Sequence, residues 1–304
     1  MARYRKNCKP QRSERSSDFG FDAARPAVAP YQHVGLNFRS LHSACLLIVS
    51  PPMNAIILCA GYATRLYPLT LNKAKPLLEV AGKPIVEWVL DNLRPVSNLG
   101  TIFLVTNNKF ASDFQNWAKG YQDRYRSVRI KVMNDGSTSD NDKLGAIGDI
   151  NFVRTREDSL AGDDLLIIAG DNLFDEPLTG FVAAAKDAVA MVAVHDVGDL
   201  EAMKKYGTVT VDADGVITHF EEKPEKPRST LAAVALYYYS RDVLPLFTTY
   251  LAAGNNPDQP GRFLEWLYTR KPVKTYQIKG RWMDIGSKGT LEKANEIFSM
   301  TKSE

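Results

Sequence analysis

Cysteine is scarce: Cys8, Cys45 and Cys59 stand alone in 304 residues, with no CxxC and no paired spacing. That pattern argues against a disulfide framework or a zinc site and for a reducing, cytoplasmic setting. Long apolar runs are also lacking. No stretch reaches the roughly 18 residues that span a bilayer. The longest candidate near the start, 44-ACLLIV-49, lies too far along for a secretory signal core, so no membrane role is expected. Nor is there an excess of one charge. The net value is +3, which gives nucleic-acid or membrane-surface binding no support from the chain as a whole. The four histidines (His33, His42, His195, His219) are isolated, and no Ser-His-Asp or Cys-His arrangement stands out. Two common phosphate loops are absent. The stretch 82-GKP-84 lacks the hydroxyl residue of GxxxxGK[ST], and Tyr62 and Ala63 interrupt any GxGxxG after the first strand-like run.

What is present is an alternation of short apolar runs and amphipathic segments. Residues 1–52 stand apart, with eight Lys/Arg against three Asp/Glu and no periodicity, while the remainder carries 30 against 32. They read as a disordered native arm, a targeting leader or sequence upstream of a true start at Met53, and 53–304 as the catalytic domain. Strands are expected at 54–59, 101–106, 128–133, 164–169 and 189–194, with helices at 84–94, 108–119, 144–156 and 177–187. Runs rich in Ile, Val and Leu separated by helices predict an α/β fold, a doubly wound and mostly parallel Rossmann-like sheet. After Asp196 the rhythm changes. Strands at 207–212, 215–222 and 231–240, with a turn in 211-VDADG-215, predict a small antiparallel lobe. Helices at 241–253, 261–269 and 287–299 and a strand at 272–278 complete the chain.

The most informative segment is 58-LCAGYATRLYPLTLNKAKPLLEVAGKPI-85. It begins at the carboxyl end of the first strand, where open α/β sheets bind ligands. Leu58, Ala60, Gly61, Tyr62, Ala63 and Thr64 form a loop of largely small residues whose amides can approach a polyphosphate. Arg65 adds a forked cation suited to phosphate, and Lys75 a second charge ten residues on. The segment resembles the nucleotide-binding signature of the sugar nucleotidyltransferase family, the NDP-sugar pyrophosphorylases that include glucose-1-phosphate thymidylyl- and uridylyltransferases. The signature is roughly LxAGxGTRLxPLTxxxPKPLLxVxGKP. Ala60, Gly61, Thr64 to Leu66, Pro68 to Thr70, Lys75 to Leu78, Val80 and Gly82 to Pro84 match it. Ala63 stands where the signature has glycine, and Ala74 where it has proline.

Three further motifs carry the resemblance. In 165-LLIIAGDNLFDE-176 an apolar strand delivers Asp171, a hard oxygen ligand of the kind Mg²⁺ takes. On composition alone it reads as a turn; the resemblance makes it a metal ligand. Glu222 and Lys223 in 219-HFEEKPEKP-227 read on composition as a solvated hairpin. The resemblance implies contacts to sugar hydroxyls and sugar phosphate, with Gly207 of 206-YGTV-209 approaching the sugar. In 280-GRWMDIGS-287, Asp284 corresponds to a second metal ligand.

The resemblance thus implies Mg²⁺-dependent joining of a sugar 1-phosphate to a nucleoside triphosphate, with release of pyrophosphate. Catalysis would rest on Arg65, Lys75 and Lys223, and the protein would be a possible homo-oligomer with small-molecule partners. The base is left open. In 134-NDGSTSDNDKLGAIGD-149, Gly145 is placed to approach it, but the glutamine of the family is absent, which leaves cytidine and guanosine beside uridine and thymidine. The acceptor is open too, phosphocholine included. A non-catalytic nucleotide-sugar-binding paralogue is the alternative to an enzyme, and a glycosyltransferase would have no need of the Arg65–Lys75 segment.

Overall fold

The structure, a computed structural model, describes residues 52–300. The reading of residues 1–52 as an extension therefore lies, Pro52 aside, outside the described residues, as do Cys8 and Cys45.

Nine strands form one sheet: β1 (Met53–Leu58), β2 (Leu99–Thr106), β3 (Arg129–Asn134), β4 (Asp164–Ala169), β5 (Ala190–Asp196), β6 (Gly207–Val211), β7 (Ile217–Glu222), β8 (Leu231–Tyr239) and β9 (Val273–Gln277). Among the described residues seven α-helices accompany it: α1 (Ile85–Leu93), α2 (Ala111–Arg124), α3 (Ala146–Arg156), α4 (Thr179–Ala185), α5 (Pro245–Ala252), α6 (Pro260–Leu267) and α7 (Lys288–Met300).

Strands β4, β1, β2 and β3 lie side by side and parallel. Alternation along them sends successive side chains to opposite faces. Ala55, Ile57, Ile102 and Leu104 join the core beneath α1, α2 and α4, whereas Ile56, Phe103 and Val105 join that beneath α3, α5 and α6. Each strand is therefore apolar throughout, which is why these runs read as buried parallel strands. Their carboxyl ends share one edge: Leu58 pairs with Ala169 on one side and Val105 on the other.

The expected α/β architecture with an antiparallel part is what the structure shows, with one change of order. Strand β5 does not lie beside β4. Strand β8 inserts between them, antiparallel to both, and β9 extends the sheet parallel to β5. The two halves of β8 also have different neighbours. Leu236 to Tyr239 pair with β4, whereas Ala232 and Ala233 pair with β6. The sheet therefore forks along β8, and the fork opens at the edge where the parallel strands end. The β6–β7 hairpin forms the outer prong.

Element ends differ modestly from expectation. Helix α2 runs on to Arg124, because Ala118 and Tyr121 are buried and continue its apolar face. Helix α5 begins at Pro245 rather than 241, with proline in its first turn, where its lack of an N–H costs nothing. Helix α7 buries Ala294 and Phe298 against Leu66, Leu78, Val80 and Ile85, so the last helix braces the signature segment from behind.

Candidate active site

The fork and the strand ends enclose a cavity of about 330 Å³. Of the residues picked out in the sequence, Leu58, Ala60, Gly61, Gly145, Asp171, Gly207, Glu222, Lys223 and Asp284 line it. Tyr62, Ala63, Thr64, Arg65 and Lys75 do not line it themselves, although Lys75 reaches it through Asp171.

The loop after β1 is built around Ala63, which takes the left-handed conformation (φ 49°, ψ 43°) before a short turn of 3-10 helix at Thr64–Leu66. Its carbonyl accepts from the Leu66 amide at 3.0 Å and the Thr70 hydroxyl at 2.8 Å. The Asn107 amide donates to the Ala60 carbonyl at 2.9 Å, tying the loop to the end of β2. Gly61 is exposed, with no atom near the position of a β-carbon, so its backbone stands open to the cavity. Tyr62 turns inward and is buried, with its hydroxyl beside Ser137.

Asp171 and Asp284 are 113 positions apart, yet a two-stranded ladder makes them neighbours. Asn172–Phe174 pairs antiparallel with Trp282–Asp284, which sets Asp284 opposite Asn172. The Ile285 amide donates to the Asp171 carbonyl at 3.2 Å. Asn172 locks the corner: its amide nitrogen donates to Asp171 Oδ1 at 2.9 Å, and its amide oxygen accepts from Trp282 Nε1 at 2.5 Å. Lys75 Nζ lies 2.5 Å from Asp171 Oδ2 and 4.0 Å from Asp284 Oδ1, on a side chain only 10% exposed.

Burial, reinforced by the charge of Asp171, raises the Asp284 carboxyl above its ordinary range, while Lys75, Arg65 and Lys223 pull it back. Two carboxylates sharing a sheltered site favour a cation between them. Among the described residues no group of three or more His, Cys, Asp or Glu could hold a metal. Two carboxylates fit Mg²⁺, which takes one or two such ligands and completes its octahedron with water and substrate phosphate.

Arg65 is exposed on the turn after the loop, near enough to Asp284 to act on its charge. Ala74, where the signature has proline, is buried at 1% exposure, and its carbonyl accepts from the Leu77 amide, so Lys75 is held firmly.

At the outer prong, Lys223 directly follows β7 with a positive φ of 51° and bonds its amide to the Tyr206 carbonyl at 3.2 Å. Non-glycine residues avoid that region, so the backbone is strained where the side chain faces the cavity. Glu222 is largely buried, which raises its carboxyl, against the pull of Lys223 and Arg262. A β-carbon on Gly207 would lie 2.6 Å from the Phe220 ring and 2.9 Å from Glu222 Oε2. Glycine is needed there to seat both side chains.

At the opposite end, Gly145 (φ +77°) opens α3, but its lack of a side chain serves a different neighbour from the one expected. A β-carbon there would meet the Pro257 carbonyl oxygen at 2.6 Å. The amides of Ala146 and Ile147 donate to the carbonyls of Asp258 and Pro257 at 3.1 and 2.8 Å. Segment 257–261 thus closes the start of α3 and lines the cavity with Asp258, Gln259, Pro260 and Gly261. The sequence reading missed it; a Pro-Asp-Gln-Pro-Gly stretch carries no signal beyond that of a loop. It also missed Asp140, Lys143 and Asp149, which line the same end. Residues 138–142 are tied together by their own side chains. Asp142 accepts from the amides and hydroxyls of Thr138 and Ser139, which holds its carboxyl well below the usual range.

Among the described residues, no helix is long and apolar enough to cross a membrane. In solved structures the fold resembles a putative glucose-1-phosphate thymidylyltransferase from Bacillus anthracis (TM-score 0.69, 22% identity, 81% of this chain and 95% of that one). It also resembles a UDP-glucose pyrophosphorylase complexed with UDP-glucose (TM-score 0.68, 20% identity, 82% and 99%). In sequence the chain is similar to the bifunctional protein GlmU of Methanocaldococcus jannaschii, 29% identical over 247 residues (81% of this chain, 54% of that protein). It is similar, too, to a UTP–glucose-1-phosphate uridylyltransferase of Synechocystis, 28% identical over 242 residues (77% and 60%). The chain thus spans little more than half the length of the curated relatives it matches. The profile described as Nucleotidyl transferase matches residues 54–300. A match from the start of β1 to the end of α7 shows that the chain belongs to the nucleotidyl transferase family, a family of enzymes.

Proposed function

We propose that this protein joins a sugar 1-phosphate to a nucleoside triphosphate, releasing pyrophosphate, with Mg²⁺ held by Asp171 and Asp284. The observation that carries this reading is the meeting of these two carboxylates on the wall of one cavity, with the Lys75 ammonium against them. The phosphate loop borders it, and Glu222 and Lys223 lie at the outer prong. Bound there, Mg²⁺ would neutralise charge on the α-phosphate and the incoming phosphate.

An attacking sugar phosphate is largely ionised near neutrality, its second pKa being about 6, so its oxygen needs no general base. That agrees with the absence of a histidine among the lining residues. The oxygen attacks the α-phosphorus, the bond to the β-phosphate oxygen breaks, and pyrophosphate departs. The protein supplies position and charge. The amides around Gly61, together with Arg65, steady the pyrophosphate. Lys75 balances the metal-holding carboxylates and the α-phosphate, and Lys223 holds the acceptor phosphate. Glu222 and the Gly207 strand receive the acceptor's hydroxyls. The site would work in the cytoplasm.

One feature favours a second acceptor class. Tyr206 and Trp282 line the cavity as an edge-to-face pair, 5.1 Å between centroids, with Glu222 also on the wall. Aromatic faces beside a carboxylate suit a quaternary ammonium, as in phosphocholine.

The test is pyrophosphate release from the full chain with Mg²⁺, five nucleoside triphosphates and a panel of sugar 1-phosphates plus phosphocholine. Release dependent on one particular pair supports the reading and names both substrates. No release with any pair, from folded protein that binds the triphosphates, overturns it.

A further inference from the structure

The end of the cavity away from Glu222 and Lys223 is left for the nucleoside, and its wall is dominated by carboxylates. Asp149 lies one turn into α3 from Gly145, on the face that Gly145 and Ala146 present to the cavity. It is 5% exposed, and its Oδ1 receives no hydrogen bond among the described residues. A buried carboxyl that lines a binding cavity without a protein donor on it is placed to take one from a ligand.

Its closest polar neighbour adds none. The Asp135 carboxylate stands within hydrogen-bonding reach of Asp149 and is itself engaged by the amide and hydroxyl of Ser137. Burial, then the charge and hydrogen bond of Asp135, then the charge of Asp258, push the Asp149 carboxyl up to about 8. Its proton is therefore kept near neutrality and is shared with Asp135.

The nearby donors lean toward other carboxylates and are partly engaged by them. Lys143 Nζ lies 3.2 Å from both Asp140 and Asp258, and Gln259 Nε2 donates to Asp258 at 3.3 Å. What this wall offers a ligand is acceptor oxygen. Uracil and thymine present two carbonyl oxygens and a single N–H, so a carbonyl set against Asp149 would face carboxylate oxygen. Cytosine, adenine and guanine each present an exocyclic amino group.

Building on the reading of this cavity as a triphosphate site, we propose that Asp149, backed by Asp135, selects the nucleobase and that the enzyme takes an amino-bearing base in preference to uracil or thymine.

The experiment measures equilibrium binding of CTP, GTP, ATP, UTP and dTTP to the full chain with Mg²⁺, alongside kcat/KM for pyrophosphate release. It is repeated on Asp149→Asn, which replaces one acceptor oxygen with an amide donor, and on Asp135→Asn. One amino-bearing triphosphate is expected to exceed UTP and dTTP by ten- to a hundred-fold, the discrimination a paired polar contact gives. Asp149→Asn should shrink that ratio about ten-fold, mainly by improving UTP. UTP or dTTP preferred by the native protein overturns the proposal, as does an unchanged ratio in both variants. Should a variant fail to fold, the native ranking alone decides. Binding ranked as expected without pyrophosphate release would sink the proposed reaction and leave the base selection standing. No binding of any triphosphate would sink both.

Discussion

Ala63 and Lys223 both hold left-handed backbone that L-residues avoid at a cost of roughly 1–2 kcal/mol. Only Lys223 faces the cavity, where strain of this kind is often retained for function. Ala63 is turned away from it, and its conformation serves the turn to Arg65 and the bond from Thr70. Ala63→Gly should therefore stabilise the protein by about 1 kcal/mol, the larger freedom of unfolded glycine offsetting part of the relief. For a chain of this size that is a rise of roughly 2–4 °C in Tm, read by thermal unfolding. A fall in Tm would show that the strain is not there. At Asp171 the expectation concerns chemistry. Asp171→Asn keeps the shape but removes a charge that lies 2.5 Å from Lys75 Nζ and that would hold the cation. Turnover should drop on the order of 10²- to 10³-fold, as when a transition-state charge partner is lost. Near-normal kcat in that variant would remove Asp171 from the metal site.

The same logic applies to the elements that carry these residues. The ladder of Asn172–Phe174 with Trp282–Asp284 is three residues on each side, yet it is what turns two distant aspartates into a pair. Trp282→Phe keeps an aromatic ring against Tyr206 and deletes the indole N–H that holds Asn172, together with part of the ring's volume. Asn172 would then orient Asp171 less firmly. The expected result is a weaker apparent affinity for Mg²⁺ in the pyrophosphate assay, with saturating Mg²⁺ restoring most of the turnover. Equal loss at all Mg²⁺ concentrations would refute that role. Gly145→Ala should be worse for folding. The new methyl would meet the Pro257 carbonyl at 2.6 Å on a backbone of φ +77°, so segment 257–261 must move. Neither element was legible beforehand, for different reasons. Three-residue strands have too few residues to show a period, and segment 257–261 has only turn-forming residues. By contrast the pairs Ile56–Ile57, Phe103–Leu104 and Ile167–Ile168, which make their strands apolar on both faces, made the parallel half readable. Asp171, Glu222, Lys223 and Asp284 were findable only because their motifs resembled a family. Asp149 looked like an ordinary acid in the first turn of a helix, where the helix dipole favours one. Nothing in a linear sequence says that its carboxyl is buried beside Asp135.

Across the whole molecule the buried acids set how stability responds to pH. Asp149 is pushed up to about 8, whereas an unfolded aspartate lies near 3.9. Between those values the folded state holds a proton that the unfolded state has lost. Stability must then fall as pH rises through that window, by at most about 1.4 kcal/mol per pH unit for one proton. The sign is opposite to that of an aspartate stabilised by a salt bridge. Glu222 and Asp284, also raised by burial, act in the same direction. The groups bearing on Asp149 are Asp135 from the end of β3 and Asp258 from the segment before α6, the latter partly neutralised by Lys143. Asp149→Asn removes this one titration and leaves the others. Thermal unfolding from pH 5 to 8 should therefore slope less steeply in the variant, by roughly 3 °C per pH unit near neutrality. The two curves should converge only toward about pH 3, below the unfolded value, where the native acid is neutral in both states. Parallel curves would mean that Asp149 is already ionised in the folded protein. Its wall of the cavity would then be fully anionic, and the base meeting it would need two N–H donors side by side, as guanine has.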